Sequence, residues 1–400
     1  MWSQLETGAW ITRERIKGYS ILLIVAYALG LTAVFLTLKG HLDWQDRPFG
    51  SDFGGLYTAG VMAAEGTPAA PYGLEAFAAR QQALFGPQTA VFSWGYPPFT
   101  LAVFRPLAGL PYLSAFFVWQ GVTLALYLVM LRGWLKPPLA LLGGAAFTGV
   151  FVTLGHGQMG FLIAALFGAA LLALERRPFL AGALFGLIAV KPHFGLLIPV
   201  ALMAGGRWRA FAAASLMVAA MTAAALAAFG AETFAAFLDS LAVSRVHGVE
   251  QSNTGFHKMQ SAFTAVRLLG GPVGLAYALH GLLLGMVVAT TIWIWRRPVD
   301  PRLRAASLMT GAFLATPYVF DYDMVLLAPA MAALVDYGIE RGFRPFEKSF
   351  LALAFAMPIL ARSIAMAAPI PAGFLTCLLL FALIVAKARH NAGSHAAASV

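Results

Sequence analysis

Cysteine and charge are the two things this chain nearly does without. One cysteine, Cys377, stands among 400 residues, which excludes an intrachain disulfide framework and a cysteine metal centre. Lying inside an apolar run, it reads as a small core hydrophobe. Charged residues make up 11% and hydrophobic residues 60%, whereas a soluble domain carries about a quarter charged and half apolar residues. That imbalance excludes the soluble class. His-Glu-x-x-His, a phosphate-binding glycine loop and a dinucleotide fingerprint are missing too, which disfavours zinc hydrolysis and nucleotide-driven chemistry. There is no internal repeat and no evident linker.

What is present is a series of continuous apolar runs rich in Leu, Ala and Gly. Helices satisfy their own backbone groups in lipid, and a membrane barrel would instead show short alternating segments. The fold class is therefore an all-α polytopic membrane protein, read as a single domain over residues 1–400 embedded in a phospholipid bilayer. The net charge of +10 does not imply nucleic acid, because the basic residues fall in short clusters between the runs. Arg13, Arg15 and Lys17 precede a first run that is too long for a signal peptide and is read as a retained span.

Twelve apolar segments are expected to cross: about 19–38, 111–131, 138–154, 159–174, 179–190, 194–204, 211–229, 274–295, 305–316, 324–335, 350–368 and 373–386. With both termini cytoplasmic, the Lys and Arg clusters near 132–136, 175–177, 207–209, 296–304, 341–348 and 387–389 all fall on the cytoplasmic side, as the positive-inside rule requires. Several segments are shorter than the roughly 20 residues of a full span, so their polar connectors lie below the surface or one pair is re-entrant. Two large loops, 40–110 and 231–272, fall on the other side, with stretches 73–85, 98–109 and 259–269 read as interfacial helices.

Acidic and imidazole side chains gather on that second side: Asp43, Asp46, Asp52, Glu65, His156, His193, His247, Glu250, His257, Asp321 and Asp323. A site opening outward follows from this asymmetry. In GSDFGGLYTAG, Asp52 stands among small residues that permit close approach of backbone and ligand; it reads as a helix N-cap, as a base, or as both. Trp94, Tyr96 and Phe99 flank Pro97-Pro98 and suit either a sugar platform or an interfacial aromatic belt. Lys191, between two short apolar segments, either snorkels to the surface or meets an anion, for which phosphate is apt. Arg245, His247, His257, Lys258 and Arg267 add positive or titratable groups on the same side. Arg362, inside the eleventh segment, reaches a lipid head group or pairs within the bundle. Asp321-Tyr322-Asp323 offers oxygen ligands of the type divalent ions take, although hydrogen bonding or capping is the commoner explanation for such a pair.

Taken together, SDFGGLYTAG, GTPAAPYG, WGYPPFTLAVFRPLAGLP, GHGQMGFL, AVKPHFGLLIPVAL, GGRWRA and TPYVFDYDMVLLAP resemble glycosyltransferase family 87, the DUF2029 group. Its members include mannosyltransferases that use polyprenyl-phosphate-mannose. The resemblance implies a GT-C fold and inverting transfer of a hexose, mannose first, from a polyprenyl-phosphate-linked sugar to a glycolipid or glycan acceptor. It places the reaction on the periplasmic side of a bacterial inner membrane and the catalytic acid on Asp52. Lys191, His193, Arg245, His257 and Lys258 are then candidates for the donor phosphate. Tyr57, Trp94, Tyr96, His156, Gln158, Asp321 and Asp323 are candidates for sugar or acceptor contacts. No cofactor is implied, and the need for a divalent metal stays open, since protein cations alone can stabilise a leaving phosphate. The competing readings are a transporter or lipid flippase, and a polysaccharide polymerase or lipid-modifying transferase.

Overall fold

A computed structural model describes residues 2–252 and 254–398, with side chains described as far as residue 393. Its helices in chain order are α1 Trp2–Thr7, α2 Arg13–Leu36, α3 Asp52–Ala64, α4 Leu74–Phe85, α5 Leu101–Phe104 and α6 Tyr112–Leu131. There follow α7 Leu139–Ala146, α8 Thr148–His156, α9 Gly160–Ala173, α10 Pro178–Leu187, α11 Leu197–Ala204 and α12 Trp208–Ser244. The last third comprises α13 Ala262–Leu268, α14 Val273–Trp295, α15 Pro301–Leu314, α16 Leu327–Arg341, α17 Glu347–Ala367 and α18 Ala372–Ala398. Among the described residues β pairing is limited to isolated bridges. The protein is an all-α polytopic membrane protein.

Among the described residues seven helical stretches are long and apolar enough to cross a bilayer, and α7 with α8, bent by 53°, would make an eighth. Each of the twelve expected segments falls on a helix, but those at α9, α10, α11 and α15 are shorter than a full span. Local chemistry sets several starts. Thr12 and Ser261 accept the N–H groups of Arg15 and Thr264, and Asp300 accepts that of Arg302 ahead of Pro301 at the first helical position.

The stretch from Asp321 through α16 lies at the centre, with 83% of its apolar window enclosed by protein, against 11% for α2 and for the segment beginning with α12. Those two outer elements turn their apolar side chains to the surroundings, as lipid-facing helices do. The stretch 231–272 is not an open loop. Its first part is the Ala-rich continuation of α12, bent at Gly230 (φ 78°, ψ 164°), and Phe234 and Phe237 pack it onto the core. Good helix formers and a buried apolar face outweigh the scattered polar residues that suggested a loop.

The basic residues near 175, 207, 302, 344 and 387 are tied together in one region of the bundle. Arg207 bonds Glu175, Arg302 bridges Asp300, Asp336 and Glu340, and Lys387 is held by buried Glu347. The N-terminal segment docks there as well, through Trp10 on Ser349 and the carbonyl of Glu6 on the Phe346 N–H. Asp52, His156, Lys258 and Asp321 belong to a different cluster, described next.

Candidate active site

Asp52 opens α3 but caps nothing: Ser51 holds the N-cap position, without a side-chain cap bond. The carboxylate is free to turn toward the end of α8, and the positive end of the α3 dipole favours its charge. Two glycines let these segments touch. Gly157 ends α8 in the left-handed region (φ 67°); a Cβ there would lie 2.6 Å from the Phe53 Cβ and 2.9 Å from the Gly50 carbonyl. Gly50 (φ 78°) presses equally closely on the Phe116 ring. His156 and Gln158, on either side of Gly157, are thereby brought against Asp52.

The contacts form a chain. Gln158 donates its amide to Asp52 Oδ2 at 3.1 Å and to the Tyr96 hydroxyl at 3.0 Å. Ser51 Oγ lies 3.3 Å from Asp52 Oδ1 and 2.9 Å from His156 Nδ1, which is itself 3.5 Å from Asp52 Oδ1. The other imidazole nitrogen, Nε2, is 2.7 Å from Arg362 Nη2. Arg362 also grips Asp321, with Nε at 2.6 Å from Oδ2 and Nη2 at 3.0 Å from Oδ1. Asp321 is buried, whereas the Asp52 side chain keeps 20% of its surface exposed.

Lys258 is carried to this group by backbone pairing. Met259 and Phe320 form an antiparallel bridge, and the Gln260 N–H donates to the Val319 carbonyl at 2.8 Å. Burial opposes ionisation of Asp52, yet the nearby His156 imidazole, the Gln158 amide and the charge of Lys258 hold its carboxyl below the usual carboxylate range. Burial, followed by the charges of Arg362 and Arg47, pushes the Lys258 ammonium down. Burial and Lys258 do the same to His257, against the pull of Asp321. Among the described residues neither Arg47 nor Lys258 forms an ion pair. A cavity of about 290 Å³ runs along this cluster, with Arg47, His156, Asp321 and Arg362 at its polar end and Leu31, Val34, Phe151 and Ile359 on its apolar wall.

Other expected site residues lie elsewhere. Lys191 is 1% exposed and its ammonium is bound to buried Asp323, over the rings of Phe194 and Tyr322. An ammonium enclosed in this way is not open to a phosphate, and Asp323 is not open to a sugar. A lysine in an apolar stretch found a carboxylate rather than a ligand. Arg245 is exposed and pairs with Glu250 at 3.5 Å. His193 rests against Phe194 and Tyr318, with Nε2 unpartnered. Tyr57 and Trp94 are core residues: Tyr57 donates to the Leu110 carbonyl, and Trp94 packs edge-on against Tyr96. Sequence reasoning left Arg47, Ser51 and Arg362 out of the site. Arg47 had a signal, being the one cation in the stretch from Asp43 to Asp52, which also holds Asp46. Among the described residues no group of three or more His, Cys, Asp or Glu side chains is placed to hold a metal ion.

The membrane bundle thus holds a partly exposed carboxylate in one cluster with cations that form no ion pair among the described residues. The family model for glycosyltransferase family 87 matches residues 94–317. The chain belongs to glycosyltransferase family 87. None of the curated proteins matches, and neither does any solved structure. The matched stretch of this family 87 transferase contains Tyr96, His156, Gln158, His257 and Lys258, while Asp52 precedes it and Asp321 and Arg362 follow it. The chemistry is therefore glycosyl transfer, and of the two carboxylates in this cluster Asp52 is the more exposed.

Proposed function

We propose that this transferase moves a hexose, mannose being the first candidate, from a polyprenyl phosphate to a glycolipid or glycan acceptor, with inversion, on the non-cytoplasmic face of a bacterial inner membrane. One observation supports the reading: Asp52 is partly exposed with its carboxyl held below the usual range, Lys258 acts on it, Arg47 lines the adjoining cavity, and among the described residues neither cation forms an ion pair. The donor phosphate belongs at those two cations, with His257 beside them. Lys191 and Asp323 support the floor of the site from within.

The charges balance along the reaction. Asp52 takes the proton of the acceptor hydroxyl. The acceptor oxygen forms its bond to the anomeric carbon from the face opposite the phosphate, and the carbon–oxygen bond to the phosphate breaks. The departing phosphate gains one negative charge as Asp52 loses one. Negative charge thus shifts from a carboxylate hydrogen-bonded by Gln158 and Ser51 toward Arg47 and Lys258, which stabilise it as it develops. One carboxylate suffices, since direct displacement needs no nucleophile from the protein.

Purified protein supplied with radiolabelled polyprenyl-phosphate hexoses, the mannosyl compound first, and a membrane lipid extract tests this. Label should pass to lipid or glycan with the wild type and not with Asp52→Asn, and the product anomer should be opposite to that of the donor. Retention of the donor anomer, or turnover unaffected by Asp52→Asn, would overturn the mechanism.

A further inference from the structure

We infer that Arg362 is a positioning residue that fixes the tautomer of His156 and, through it, the orientation of Asp52. The inference rests on Asp52 being the base, although the bonding that motivates it does not. A guanidinium has N–H donors and no acceptor. Arg362 Nη2 at 2.7 Å from His156 Nε2 therefore requires Nε2 to accept. The ring proton then lies on Nδ1, the nitrogen 2.9 Å from Ser51 Oγ and 3.5 Å from Asp52 Oδ1. Receiving that N–H, Ser51 is left to donate its own hydroxyl to Asp52 Oδ1 at 3.3 Å. Every donor in the series Arg362, His156, Ser51, Asp52 points the same way, and no bond in it is contested.

Asp321 is what holds the first member in place. It binds Nε and Nη2 of Arg362 and is itself fixed by the Tyr322 N–H at 2.9 Å. The guanidinium thus spans from a buried carboxylate to an imidazole, joining α17 to the end of α8. Donors crowd Asp52 Oδ1, while Oδ2 has only the Gln158 amide. Oδ2 is therefore the oxygen left to take the acceptor proton. His156 is no relay in this scheme: Nδ1 already carries a hydrogen and Nε2 is occupied by Arg362, so the proton gained by Asp52 leaves by the exposed side of the carboxylate.

The experiment pairs Arg362→Met and Arg362→Lys with 15N-histidine spectra of the full-length protein in detergent, the His156 signal being assigned by its absence from His156→Gln. Wild type should give the signature of a neutral ring protonated on Nδ1. Arg362→Met should lose it and lower kcat roughly 10- to 100-fold with little change in KM, as for a misaligned base. Arg362→Lys, a donor without acceptor capacity, should restore both in part. A wild-type signal protonated on Nε2 would overturn the inference, and so would an Arg362→Met spectrum and kcat matching wild type. If Arg362→Met fails to fold, the wild-type and Arg362→Lys spectra still decide. The spectra need no turnover, so an active Asp52→Asn would defeat the base assignment while leaving the tautomer question answered on its own.

Discussion

Replacing Lys191 by Met separates two roles for that residue. The ammonium is 1% exposed, bonded to Asp323 and flanked by the Phe194 and Tyr322 rings at 5.3 and 5.1 Å. Asp323 has one further partner, the Phe320 N–H at 3.1 Å on its other oxygen. Removing only the lysine leaves a carboxylate enclosed with that single donor, and breaking a buried pair in this way costs about 3–5 kcal/mol. Removing both charges as Lys191→Met with Asp323→Leu deletes the uncompensated charge and forfeits the bond from Phe320, worth about 1 kcal/mol. The double variant should therefore be more stable than Lys191→Met by roughly 2–4 kcal/mol, the difference between those two costs. Denaturant unfolding in detergent micelles measures this, with Asp323→Leu alone completing the cycle. A Lys191→Met protein that unfolds like wild type while its donor KM rises many-fold would refute the structural assignment and make Lys191 a phosphate ligand.

Further outcomes follow from the cluster around Asp52. Arg47→Ala and Lys258→Ala should each raise the KM for the polyprenyl-phosphate donor about 10-fold or more, the loss of one charge-assisted contact, as read by initial rates against donor concentration. Because burial and neighbouring cations push the Lys258 ammonium down, donor KM should climb on the alkaline side before the pH of about 10.4 at which a free lysine titrates, and Lys258→Arg should remove that rise. Asp52 has its folded pKa depressed, so its contribution to stability is present above the ordinary carboxylate value and is lost as pH falls through the folded value. Unfolding midpoints of wild type and Asp52→Asn followed down from about pH 6 to pH 3, across the carboxylate range, should differ most at the upper end and converge at the lower. Gly157→Ala places a side chain where φ is 67° and the Phe53 Cβ lies 2.6 Å away. Its cost should be about 1–3 kcal/mol, with kcat falling as His156 and Gln158 withdraw from Asp52.

The helical architecture was legible because apolar run length and composition govern what a bilayer accepts. The basic residues near 175 and 207 flank short connectors, Arg302 opens α15 and Lys387 lies within α18, and ion pairs tie them into one region of the bundle. Asp52, His156, Gln158 and Lys258 were also readable, as polar residues held among glycines, prolines and turns. What could not be read was pairing. Lys191 and Asp323 are 132 residues apart, and the chain announces neither that they meet nor that burial would exclude a ligand from both. Arg362 could be read as pairing within the bundle or reaching a lipid head group; only the approach of α17 to α8 shows that it pairs, and that its partners are His156 and Asp321. The helical half of 231–272 was missed because Glu232 and Asp239 interrupt the hydropathy, although the stretch is rich in alanine and its phenylalanines repeat with helical spacing.

The bridge between Met259 and Phe320 has a mechanical corollary. It splices the segment bearing Lys258 onto the turn whose next residues enter the centre of the protein at Asp323. An outer cation and an inner ion pair are thus coupled through a single bridge, and a defect at the inner end large enough to loosen the fold should displace Lys258 with it.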